Sequence, residues 1–218
     1  AKAIFQSGGA HNNEALAGRA WEKSMEIGRE FVEETKAGSL EELRAMPADR
    51  LELLAEAYSA GKQEGILFMP VADGYVFSEN TTDCLENGHV KQIPYMLGTT
   101  ENDLFVTPEM LERGEKTTLY KGCIEWSQKT EELWNQPSYV YYFKRHLPGD
   151  DWGAFHCAEL WYMFGTLDRC WRPFEEQDRK LSREMLEYWV NFMKTGKPAD
   201  AEEWRPCTRA DAFVKVLE

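Results

Sequence analysis

The sequence predicts an α/β fold, and three observations carry that expectation. Hydrophobic residues fill 43% of the 218 positions and include eight Trp, so the chain can bury a core instead of remaining disordered. Short apolar runs rich in β-formers alternate with longer segments of three- and four-residue periodicity, the order strand, helix, strand of a sheet packed with helices. Glycine, proline or polar loops close each run. The length suits one domain, and no repeat, low-complexity tract or linker divides residues 1–218.

The elements follow in order. Ala1 to Ser7, A-K-A-I-F-Q-S, reads as a short buried strand. It has no initiator Met and no polar lead-in, so the chain is expected to continue, or to have been cut from, a longer protein. Ala17, Ala20, Trp21, Met25, Gly28, Phe31 and Val32 recur at helical spacing and predict an amphipathic helix from about Glu14 to Lys36. Ser39 followed by Glu42 is a capping-box start, and Pro47 and Asp49 open a third helix to about Ser59, ended by Gly61 and Gly65. Gly65 to Val71, Ile93 to Leu97 and Tyr139 to Phe143 read as buried strands, with a mostly helical stretch from Pro108 to Trp134 before the third. A long loop with Pro148, Gly149 and Gly153 follows. The last helix carries Leu181, Met185, Tyr188, Trp189, Phe192 and Met193 on one side and stops at Gly196, with Pro198 beyond. Phe213 to Leu217 would then close the sheet.

A formal charge of -13 and a pI near 4.9 set the surface against phosphate backbones and anionic lipid, so neither nucleic acid nor a membrane is an expected partner. Acidic helix faces are otherwise a solubility feature and point to no substrate. Five cysteines, at 84, 123, 157, 170 and 207, form no C-x-x-C pair and no zinc-type spacing. Neither a signal-type leader nor an apolar run of roughly 18 residues is present, and the expectation is a cytoplasmic location.

Of the four histidines, His11, His89, His146 and His156, the last stands out. It lies in G-A-F-H-C-A-E-L on the loop after the strand Tyr139 to Phe143, and open α/β sheets gather their chemistry at the carboxyl ends of strands. The acidic cluster Glu101-Asn102-Asp103 follows the strand Ile93 to Leu97 in the same way. An acid accepting the Nδ1 hydrogen would fix the imidazole tautomer that leaves Nε2 free to take a proton. Position alone leaves a structural or solvated loop histidine as the competing reading.

Four segments, in order, resemble the carboxylesterase type B family, which includes cholinesterases and bacterial para-nitrobenzyl esterases. A-I-F-Q-S-G at Ala3 to Gly8 looks like the strand A-I-x-Q-S-G, and F-M-P-V-A-D-G at Phe68 to Gly74 is similar to F-x-P-x-x-D-G. I-P-Y-M-L-G-T-T-E-N-D at Ile93 to Asp103 resembles I-P-x-x-x-G-x-N-x-D-E. G-A-F-H-C-A-E-L-W-Y-M-F-G at Gly153 to Gly165, with Y-W-V-N-F-M-K-T-G-K-P at Tyr188 to Pro198, looks like the catalytic-histidine segment and final helix. The resemblance spans nearly the whole chain and implies the C-terminal part of an α/β-hydrolase fold, a mostly parallel sheet flanked by helices.

It further implies a serine carboxylesterase in which His156 is the general base and Asp103 stands where the family usually has glutamate. The acid is one methylene shorter than the family's, and Glu101 is the rival. The register from Gly98 favours Asp103. Ser7 and Glu159 match a supporting acid and hydroxyl near the base, against an exposed Glu and a turn Ser as the plain alternative. Phe105, Trp161 and Phe164 are read as core aromatics before pocket residues. The segment between acid and histidine is shorter than in cholinesterases, so substrate preference does not transfer.

A serine esterase needs a G-x-S-x-G elbow between strand and helix, and the chain has none. Ala57-Tyr58-Ser59-Ala60-Gly61 imitates it, but Ser59 follows a helix and precedes a strand. Cys157, adjacent to His156, is read as a buried, inert thiol. The expectation is a carboxylic ester hydrolase working through an acyl-enzyme without metal or organic cofactor, in which this chain supplies His and acid but not the serine and is inactive alone. Its expected partners are a small-molecule carboxylic ester and the missing N-terminal half of the same fold. The alternatives are a non-catalytic cholinesterase-like binding protein, or a subunit completed by a separate N-terminal chain.

Overall fold

A computed structural model describes residues 1–9, 18–62 and 66–218. In chain order its elements are β1 (Ala3–Gln6), β2 (Arg19–Ala20), α1 (Trp21–Thr35), α2 (Leu40–Ala45), α3 (Ala48–Ala60) and β3 (Val71–Ala72). Next come α4 (Thr81–Glu86), β4 (Tyr95–Thr100), α5 (Pro108–Glu112), α6 (Thr118–Trp134) and β5 (Tyr139–Phe143). The chain finishes with α7 (Leu160–Met163), a single 3-10 turn (Leu167–Arg169), α8 (Glu176–Thr195) and β6 (Lys215–Leu217). The contacts divide into two compact units, Ala1–Asn12 with Leu85–Glu218, and Asn13–Cys84.

The first unit is built on a four-stranded sheet in the order β1-β4-β5-β6, every neighbouring pair parallel. Every residue of β4 and β5 is buried, as expected of strands covered on both faces. Their side chains alternate between two cores. Met96, Tyr139, Tyr141 and Phe143 join Met185, Trp189 and Phe192 of α8 on one face, whereas Tyr95, Leu97 and Val140 join Cys123 and Trp126 of α6 on the other. Gly98 lies where a Cβ would come within 2.3 Å of the Tyr141 ring, so the two central strands approach this closely only because position 98 lacks a side chain.

The N-terminus of α8 is tied to the sheet side by Asp178, which is fully buried. Its carboxylate accepts from Arg145 Nε at 2.7 Å and Nη2 at 3.2 Å, from the Tyr162 hydroxyl at 2.7 Å and from the Glu175 amide at 2.8 Å. The second unit contains α1, α2, α3 and the parallel pair β2-β3, with Ile27, Tyr58 and Leu67 as its core. Ser39 caps α2 as the sequence predicts. Its Oγ accepts from the Glu42 amide at 3.2 Å, while the Glu42 carboxylate accepts from the Gly38 amide at 2.8 Å.

Several boundaries differ from the sequence expectation. The first helix starts at Trp21, because Gly18 adopts φ +101° and Arg19–Ala20 run extended to pair with Val71–Ala72. The expected start at Glu14, with Ala17, lies outside the described residues, as do His11 and Gly65. Of the expected strand to Val71 only its final residue is extended in a ladder, since Pro70 has no amide to donate and Ile66–Met69 form no strand. The strand expected from Ile93 begins at Tyr95, after Pro94, and runs on to Thr100. The loop expected after β5 contains α7 and the 3-10 turn, and the last strand is shortened to Lys215–Leu217. Among the described residues no helix is long and apolar enough to cross a membrane.

Candidate active site

Parallel pairing points the carboxyl ends of β1, β4 and β5 to one edge, and each is followed by a residue singled out from sequence. Ser7 follows β1 with φ +54°, and its amide donates to the Gly98 carbonyl at 2.7 Å, one residue beyond the β1-β4 ladder. Its hydroxyl donates to Asp103 Oδ2 at 2.6 Å. The Thr100 amide donates to the same oxygen at 3.0 Å, and the Leu104 amide to Oδ1 at 2.8 Å. Asp103 is 4% exposed, so its carboxylate is fixed by these donors and not by solvent.

The remaining partner of Asp103 is His156, whose Nδ1 lies 2.7 Å from Oδ1. A carboxylate can only accept in this contact, so the hydrogen between the two groups lies on Nδ1, and Nε2 is the ring nitrogen left outside the pair. The His156 side chain is 38% exposed while its partner's carboxylate is wholly buried, so the ring is anchored on one side and reachable on the other. Glu101, the rival acid, turns away. Its carboxylate meets His146 Nε2 at 2.8 Å and Lys144 Nζ at 3.5 Å.

Asn102, between the two acids, joins the acid loop to the histidine loop. Its amide donates to the Ala154 carbonyl at 2.9 Å and its Oδ1 accepts from the Ala154 amide at 2.8 Å. Asn102 also forms a parallel bridge with Phe155. The histidine loop has a second brace in Arg172, whose guanidinium donates to the Pro148 carbonyl at 3.0 Å and to the Asp150 carboxylate at 2.5 Å. The same group lies 5.2 Å over the Phe155 ring and 4.8 Å over the Trp171 ring.

Glu159 is 1% exposed. Oε1 accepts from Gln6 Nε2 at 3.1 Å and from the Tyr141 hydroxyl at 3.4 Å, while Oε2 has no partner among the described residues. Burial pushes this carboxyl above its ordinary range, with the Gln6 bond opposing. Ser7 therefore serves Asp103, and Glu159 is held by Gln6 and Tyr141. Cys157, expected to be buried, is exposed at φ +70°, since the left-handed turn carries it outward; partial desolvation, then the nearby Glu159 and Asp103, push its thiol up, away from the reactive thiolate. Ser59 sits inside α3 and on no strand-to-helix elbow. Trp161 packs against the core, whereas Phe105 and Phe164 are exposed. Among the described residues no group of three His, Cys, Asp or Glu is placed to hold a metal ion.

Sequence reasoning missed Gln6, Asn102, Tyr141 and Arg172. Gln6 and Asn102 sit inside quoted motifs, where their neighbours drew attention. Nothing in its spacing marks Arg172.

The chain matches the carboxylesterase family over residues 1–122 and 117–217. It is 25% identical over 211 residues to the para-nitrobenzyl esterase of Bacillus subtilis (strain 168), covering 77% of this chain and 43% of that protein. With the human bile salt-activated lipase it shares 26% over 202 residues, 75% of this chain and 26% of that protein. The chain thus spans less than half the length of these curated relatives. Among solved structures it is similar to a PNB esterase, with TM-score 0.72 and 18% identity over 99% of this chain and 59% of that one. A Geobacillus stearothermophilus carboxylesterase gives TM-score 0.69 and 21% identity, over 99% and 54%. These likenesses show the fold, part of an α/β-hydrolase.

Proposed function

The chain belongs to the carboxylesterase family, and from that premise we propose that it contributes the base and the acid of a Ser-His-Asp triad that hydrolyses a small carboxylic ester. The nucleophilic serine comes from a part of the fold outside these 218 residues. Its Oγ attacks the ester carbonyl as His156 Nε2 takes the hydroxyl proton, and the tetrahedral adduct collapses when His156 returns that proton to the departing alcohol. Water, deprotonated by the same nitrogen, then cleaves the acyl-enzyme and frees the acid and the serine. Asp103 keeps the hydrogen on Nδ1 and stabilises the imidazolium that forms in each half-reaction. Ser7 holds Asp103 in place.

The observation that supports this reading is the 2.7 Å contact between a buried Asp103 and a partly exposed His156 at the carboxyl edge of a parallel sheet. The test is fluorophosphonate labelling of the full-length polypeptide. Labelling should be lost in His156→Ala, and undiminished labelling would remove the histidine from the mechanism. The 218-residue chain alone should not turn over para-nitrophenyl butyrate, while co-expression with the N-terminal half should restore turnover. Activity of the isolated chain would contradict an external nucleophile.

A further inference from the structure

We infer that Asn102 is a positioning residue that sets the Asp103–His156 distance by clamping the histidine loop to the acid loop. The inference rests on the triad reading above. Asn102 precedes Asp103 by one residue, and its two bonds end on Ala154, two residues before His156. Backbone donor and side-chain acceptor meet the carbonyl and amide of one residue, so translation of either loop along the other breaks both bonds at once. A single hydrogen bond would act as a pivot. Two on one residue, with the adjoining bridge to Phe155, fix direction as well as distance.

Gly153 is the complementary half of the clamp. It has φ +67°, and a Cβ there would lie 2.3 Å from Asn102 Oδ1. The carboxamide therefore occupies the space that any side chain at 153 would need, and the loop closes on it only with glycine. Glu101 is held differently, its amide donating to the Phe143 carbonyl at 2.9 Å and its carboxylate turned to His146. The acid loop is thus locked in the register that presents Asp103, and not its neighbour, to the imidazole.

The test uses the full-length polypeptide, with active sites counted by fluorophosphonate titration taken to completion, so that unfolding lowers the number of sites and not the rate per site. Asn102→Ala should lower kcat per titrated site by ~10- to 100-fold, the effect of a small misplacement of reacting groups, with KM within about two-fold because substrate contacts are untouched. Asn102→Asp, which keeps an oxygen for the Ala154 amide, should recover most of the rate. Gly153→Ala should lose rate as Asn102→Ala does. If Asn102→Ala yields no titratable sites, Asn102→Ser, too short to reach the amide, carries the same expectation.

In whichever of these variants retains titratable sites, an unchanged rate per site, or a loss that Asn102→Asp fails to recover, would overturn the clamp. His156→Ala, run in parallel, separates the two levels. If it is inactive while Asn102→Ala is silent, the clamp alone fails. If it remains active, the triad reading falls and the clamp falls with it.

Discussion

Glu159 places a carboxyl among buried groups with only one of its oxygens partnered among the described residues. Because burial raises its pKa, the folded chain holds this proton to higher pH than the unfolded chain, whose value is near 4.5. Between those two values the native state binds more protons, so the contribution of Glu159 to stability falls as pH rises through the window. Glu159→Gln cannot ionise. Thermal unfolding of the variant against the wild type should show it gaining relative stability as pH is raised from about 4 toward neutrality, and a constant offset at all pH would refute the assignment. Gly98 makes a steric prediction. Gly98→Ala must push β4 from the Tyr141 ring and should cost about 1–3 kcal/mol in urea unfolding, the usual range for overpacking.

At the scale of elements, the N-terminus of α8 depends on Asp178. Burial alone would raise its pKa, but Arg145, the Glu175 amide and the Tyr162 hydroxyl together hold it below the ordinary carboxylate range. Asp178→Ala leaves Arg145 and Tyr162 without their shared acceptor and should cost about 3–5 kcal/mol, the range for breaking a buried pair on one side. Denaturant titration measures it. Arg172 acts on the histidine loop through a planar fork and two ring faces, which a lysine ammonium cannot reproduce. Arg172→Lys should therefore speed limited proteolysis between residues 148 and 156, and an unchanged cleavage rate there would discount the brace.

Across the whole molecule, the legible parts were those with a repeating physical cause. β5 reads as an uninterrupted apolar run because both faces are covered, β4 is legible only over Tyr95 to Leu97 because Gly98, Thr99 and Thr100 extend it without apolar side chains, and α8 reads as a stripe because one face meets the sheet. Two-residue strands such as β2 and β3 have no period to detect, and the left-handed Gly18 that delays α1 leaves no mark on the apolar pattern. In the site, Asp103 and His156 were found by their place after strands and by motif. Asn102 and Arg172 were not, because their bonds to backbone join positions 52 and 24 residues apart, and such contacts carry no local signature.

The parallel ladder of β1 on β4 has one more consequence. Ser7 and Asp103 are 96 positions apart, and parallel strands cannot be joined by a tight hairpin, so this pairing forms only after a long stretch of chain has closed on itself. Contacts within α6, β5 and α8 are far more local and carry no such delay. During refolding of the full-length polypeptide, Asp103 is therefore expected to meet Ser7 late, and turnover should lag behind the recovery of tryptophan emission.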